Sequence, residues 1–204
     1  MFCYNQNPKI KQAQLLASSL HKGVVYGGGM NMLDQVNRTA ELVAQSDADC
    51  DTVVAAYLHK CQETKRIAKG VQPLSADYVK SHFGEKVAAI VTEVSSEPEE
   101  NKNQTKTEQW QEKTKWAAGL SKQAQTILLA EKVCNFETSC NKPNPEKAPE
   151  WHIAYFNTRM IMVEALKEAN PKLYDMARDL ADKGTKLHHM ATIEFIRNNS
   201  YTRD

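Results

Sequence analysis

The segment DTVVAAYLHKCQET, residues 51–64, decides the fold. Val53, Val54, Ala55, Ala56, Tyr57 and Leu58 are six apolar residues in succession, and on a helix they would cover every side. A helix that is apolar all round has to be enclosed by others, so the run predicts a central helix. The polar residues His59, Lys60, Glu63 and Thr64 then fall at its C-terminal end.

Upstream, SDADCD at 46–51 supplies a turn and an N-cap for that helix. Leu33, Val36, Ala40 and Val43 form the stripe of a second helix over 33–44, and Ile10, Ala13, Ala17 and Leu20 mark a first over 8–21. Gly23 and then Gly27, Gly28 and Gly29 end the first helix, and the glycine run reads as a plain loop, because the Lys and Ser/Thr of a phosphate-binding loop are absent. Downstream, Ser75 and Asp77 start a short helix that Gly84 ends, and Val87, Ile90, Val91 and Val94 mark a fifth. SSEPEENKNQTKT at 95–107 is polar and aperiodic, which predicts an exposed loop. Helical texture resumes at 108, again over 121–136, breaks in NKPNPEKAP, and returns over 150–168 and 171–187 before a basic, His-containing tail over 183–204. The expectation is one all-α domain of seven to eight helices or more spanning 1–204, with Leu33, Val54, Tyr57, Leu58, Ile90, Leu128 and Phe156 in or near one core.

Lys plus Arg number 26 and Asp plus Glu 25, so no net field gathers nucleic acid or anionic membrane, and general nucleic-acid binding is not expected. The five cysteines, Cys3, Cys50, Cys61, Cys134 and Cys140, match no zinc or redox spacing. With no apolar stretch of membrane length and no apolar leader in MFCYNQNPKIKQ, they predict a reducing, cytoplasmic setting.

Four stretches in order carry a family resemblance. DTVVAAYLHKCQET is similar to the central helix of the small alarmone hydrolases, HD-type relatives of the Rel/SpoT hydrolase domain, in which an apolar run leads into His-Asp and then Glu-Asp-Thr. SADYVKSHFGEKVAAIVTEVS at 75–95 resembles the family segment around Phe-Gly, and LSKQAQTILLAEKVCNFET at 120–138 the helix bearing Leu-Ala-Asp-Lys-Leu-x-Asn. PEKAPEWHIAYFNTRMIMVEALKEANPKLYDMARDL resembles the last two family helices, so that the likeness covers about 10–182.

The resemblance implies an HD fold and a metal centre, usually manganese, held by a His opening the second helix, by the His-Asp pair and by the later Asp. Those positions fall here on Leu33 or Met32, on His59-Lys60, and on Glu131. An apolar side chain cannot ligate a hard cation, and a lysine adds charge where a ligand is needed. Glu63 matches the residue that positions the attacking water, with Thr64 where an Asp would stand. His21, at the end of the first helix, and Asn135 match positions facing the nucleotide, while Lys22, Lys132 and Arg159 are cations that could add anion contacts. The family's Arg-Lys-Arg cluster is replaced by Gln109-Trp110-Gln111 or by Lys113-Thr114-Lys115.

Plain structural roles compete at each position. His59 reads equally as a packed, hydrogen-bonded core histidine, Lys60 as a side chain snorkelling to water, and Trp110, Trp116 and Trp151 as core or rim. Met160 and Met162 fit an apolar helix face, and His188-His189 a solvated pair. The resulting expectation is a catalytically inactive HD protein that needs no cofactor and binds a guanine or other phosphorylated nucleotide, or serves as an interaction scaffold. The alternative is an active hydrolase of guanosine tetraphosphate, pentaphosphate or a related nucleotide, with Glu63 catalytic and Mn2+ ligands rebuilt from His59, Glu131 and Glu63, with or without Asp34.

Overall fold

The computed structural model describes residues 7–26, 29–99 and 101–200, with residues 26 and 194–200 given by their backbone alone. Helix α1 (Pro8–Leu20) starts with proline at its first position, behind Asn7, whose side chain accepts from the Lys9 N–H. It buries Ile10, Ala13, Ala17 and Leu20, the face expected from their spacing. A two-residue hairpin follows, β1 (Val25–Tyr26) antiparallel to β2 (Met30–Asn31), with Val25 paired to Asn31 and Tyr26 to Met30. Gly29 takes a φ of +81° in its turn, and Gly27 and Gly28 lie outside the described residues.

Asn31 caps α2 (Met32–Gln45), and Asp49 caps α3 (Cys50–Leu58) by accepting from the Thr52 amide and hydroxyl. Every residue of α3 from Thr52 to Leu58 is buried. Helices α1, α2, α5 (Glu85–Ser95) and α7 (Lys122–Asn141) all touch it, as an all-round apolar helix requires. A 3-10 turn, Thr64–Arg66, leads toward α4 (Ala76–Phe83), which Ser75 caps and Gly84 ends at a φ of +98°. The polar loop gives way at Thr105, whose side chain and that of Glu108 cap each other's amides at the start of α6 (Lys106–Ala118). Ser121 caps α7, proline opens α8 (Pro149–Ala165), and α9 (Pro171–Ser200) packs on both α7 and α8.

The fold is all-α, with nine α-helices among the described residues. Val54, Tyr57, Leu58, Ile90, Leu128 and Phe156 are buried in one core, with Leu33 partly buried against it. Met162 is also buried and Met160 rests at the rim, as do Trp110 and Trp116, while Trp151 stays 43% exposed. No helix among the described residues is long and apolar enough to cross a membrane.

One expectation is corrected. The segment from 183 is no tail: α9 continues through it to Ser200, and His188 is buried, only 6% exposed, rather than solvated. Gly184 lies inside α9 against Phe156. A Cβ there would lie 2.2 Å from the Phe156 ring. Cys61, Cys134 and Cys140 are free and buried.

Candidate functional site

The central helix ends at His59, which is fully buried, and its Nδ1 lies 2.6 Å from the carbonyl oxygen of Ala56. A carbonyl only accepts, so this bond assigns the proton to Nδ1 and leaves Nε2 with a lone pair. That Nε2 has no hydrogen-bond partner among the described residues and faces Glu131 Oε2 at 3.9 Å. Burial, followed by the Lys60 ammonium, pushes the imidazole pKa down to about 3, so His59 is neutral.

Lys60 does not snorkel. Its side chain is 7% exposed, and Nζ lies 3.0 Å from Glu63 Oε1 and 3.4 Å from Glu131 Oε2. Burial opposes its charge, but Glu131 and Glu63 outweigh that cost and hold the pKa above the usual lysine value. For Glu131 burial likewise favours the neutral acid, and Lys132 and Lys60 override it and keep the carboxyl well below its ordinary range. Lys132 Nζ reaches Glu131 Oε1 at 3.8 Å, and Arg66 Nε reaches Glu63 Oε2 at 3.7 Å. Charges therefore alternate through Arg66, Glu63, Lys60, Glu131 and Lys132, linking the turn after α3 to the middle of α7.

Four of the residues matched to the metal centre or its water, or lying beside them, thus converge: His59, Lys60, Glu63 and Glu131, with Lys132 alongside. Met32 is fully buried in the core, and the Leu33 amide donates to Asn31 Oδ1 while its side chain packs at the core's edge. Among the described residues no three His, Cys, Asp or Glu side chains are grouped so as to hold a metal ion. His21 is fully buried, with Nδ1 2.7 Å from the Arg66 carbonyl oxygen. Lys22 is exposed. Arg159 lies over the Tyr155 ring at 3.6 Å and the Trp110 ring at 4.8 Å, so its cation is engaged within the chain. Lys113 pairs with Glu97 at 2.8 Å, which ties α6 back to the polar loop.

Asn135 accepts from Gln35 Nε2 at 3.0 Å across the α2–α7 contact. A cleft of about 370 Å³ opens beside that pair, lined by Asn31, Asp34, Gln35, Arg38, Glu137 and Thr138 among others. Arg38 holds Glu137 bidentately, at 2.8 Å and 2.6 Å. Gln35 is 3% exposed, and its Oε1 has no partner among the described residues. Sequence reasoning overlooked Gln35, Glu97 and Arg66. The only signal for Gln35 was a polar residue beside Val36 near the start of an amphipathic helix, and Glu97 sits in a stretch with no periodicity.

An all-helical domain with a His-bearing central helix and a carboxylate from a later helix facing its C-terminal end has the architecture of the HD proteins. The family model of the HD domain matches residues 13–153, and the chain belongs to that family. Among solved structures, a metazoan ortholog of SpoT that hydrolyses ppGpp is similar in fold. Its TM-score is 0.69 at 21% identity, and the match covers 85% of this chain and 94% of that one. A protein from Listeria monocytogenes EGD-e matches at a TM-score of 0.54 and 16% identity, over 74% of this chain and 99% of that one. No curated protein matches by sequence.

Proposed function

We propose that this HD protein carries a lysine where metal-dependent members hold an ion, and that it binds a phosphorylated guanine nucleotide without hydrolysing it. The observation that carries the reading is Lys60 Nζ, buried between the carboxylates of Glu63 and Glu131. A divalent ion needs several converging, deprotonated donors. Here His59 Nε2 and Glu131 supply two, the opposite corner is an ammonium, and Leu33 and Met32 offer no donor. Hydrolysis of the HD kind relies on an ion to lower the pKa of water and polarise the phosphoryl group. Without it Glu63 has no activated water to position, and in this chain it neutralises Lys60 instead.

The ligand reading rests on the cleft lined by Asn31, Gln35, Arg38 and Thr138, whose polar side chains offer both donors and acceptors, Arg38 meeting a phosphate by leaving Glu137. The metazoan relative that hydrolyses ppGpp supports guanosine tetraphosphate as the first nucleotide to try. The test is pyrophosphate release from guanosine tetraphosphate with and without manganese, beside a thermal-shift series with the same nucleotide. The expected outcome is stabilisation by the nucleotide that manganese does not change, lost in Arg38→Ala, and no turnover above that of Glu63→Gln. Manganese-dependent turnover of about 1 per second or faster, abolished in Glu63→Gln, would overturn the proposal.

A further inference from the structure

Two layers of the contact between α8 and α9 lie one helical turn apart on each helix. In the first, Phe156 rests on Gly184. In the second, His152 lies flat on His188, with ring centroids 4.2 Å apart and planes within 5° of parallel. Both rings are buried, at 3% and 6% exposure. His152 Nε2 is 3.1 Å from the Asn144 carbonyl oxygen, to which it donates, so Nδ1 carries the lone pair. Neither that Nδ1 nor His188 Nε2 has a hydrogen-bond partner among the described residues.

The surroundings offer nothing to hold a proton. From α8, Trp151 meets His152 edge-on at 5.1 Å and Phe156 tilts over His188 at 6.4 Å. From the α7–α8 loop come the Asn144 carbonyl and Lys147, which stands over the far ring of Trp151 at 5.8 Å. From α7 comes Cys140, whose thiol donates to the Leu180 carbonyl further back along α9 and whose charged neighbour is Lys183. On α9 itself Thr192 bonds the His188 carbonyl, and His189 is exposed. No carboxylate acts on His188. Burial and then His152 hold its pKa below the ordinary value of 6.5.

We propose that the His152–His188 stack is a proton-operated latch, which docks the turn of α9 around His188, and the Asn144 loop, onto α8 while the His188 ring is neutral. A proton on His188 would place a buried cation 4.2 Å from another imidazole, with no carboxylate to offset it. The docked state therefore takes up a proton less readily than the released state. Docking is fully favoured above pH 6.5 and is lost as pH falls below it toward the depressed value of the docked ring. This device is independent of the Lys60 cluster and of any nucleotide.

The test is hydrogen exchange on the full chain, corrected for intrinsic rates, at about pH 7.5 and about pH 5.5. Protection of the α9 turn around His188 and of the loop around Asn144 should fall together by roughly 10-fold or more at the lower pH. In His188→Phe, which keeps a flat ring in the stack but removes the titrating group, protection should be equal at both. Unchanged protection in the wild type, or the same fall in His188→Phe, overturns the latch. If His188→Phe does not fold, the NMR titration of the His188 ring in the wild type decides. A midpoint at or above 6.5 rejects the latch, and one clearly below supports it.

Discussion

Lys60→Ala removes a cation from between two carboxylates, and the structure sets the scale of the loss. At 3.4 Å the attraction between Lys60 and Glu131 amounts to about 5 kcal/mol for an effective permittivity of about 20. Burying both groups offsets much of it, and stripping one partner from such a pair costs about 3–5 kcal/mol, because the other charge is stranded. Lys132, 3.8 Å from the opposite oxygen of Glu131, still neutralises part of that charge. The expected cost is therefore about 2–4 kcal/mol, or a fall in Tm of about 4–16 °C for a chain of this size. Urea unfolding of the wild type, Lys60→Ala, Glu131→Gln and the double variant closes the cycle. Lys60→Ala with Glu131→Gln should recover at least about 1 kcal/mol relative to Lys60→Ala alone. A loss below about 0.5 kcal/mol in the single variant, or additive losses in the double, would refute the idea that the two charges support each other.

Three more outcomes follow from the geometry. His59 has a native pKa near 3 against 6.5 unfolded, so the unfolded chain takes up the proton first; stability should fall from pH 6.5 toward pH 3 by up to about 1.4 kcal/mol per unit from this group, and pH-dependent urea midpoints should lose that component in His59→Leu. Gly184→Ala drives a methyl group into the Phe156 ring and should cost about 1–3 kcal/mol by calorimetry, with partial rescue by Phe156→Leu; an unchanged Tm would show that the helices separate freely. Lys60→Asp combined with His at position 32 or 33 should bring measurable manganese binding by isothermal titration in one of the two registers, while the unmodified protein shows none; manganese bound by the wild type at His59 would defeat the lysine reading.

The fold was legible wherever local chemistry repeats. The apolar run at 53–58 required an enclosed helix, and Asp49, Ser75 and Ser121 announced helix starts that their side chains do cap. The Lys60–Glu131 approach was legible only through resemblance, since 71 residues separate the two and no periodicity connects them. The end of α9 was misread for a physical reason: two adjacent histidines in a polar stretch look like a wet tail until His152 is brought against one of them. Glu97 and Gln35 were invisible because their partners, Lys113 and Asn135, belong to other helices.

If Lys60 stands in for an ion, what the domain depends on changes. An ion held by ligands stabilises a fold by RT ln(1 + [ion]/Kd), a quantity that follows supply and collapses under a chelator. Lys60 is joined to the chain next to the carboxylates it serves, so its local concentration is set by covalent bonds and cannot be diluted or stripped. Chelators and metal starvation leave such a centre untouched. Its neutrality answers instead to acid, to base and to anything that acylates an amine.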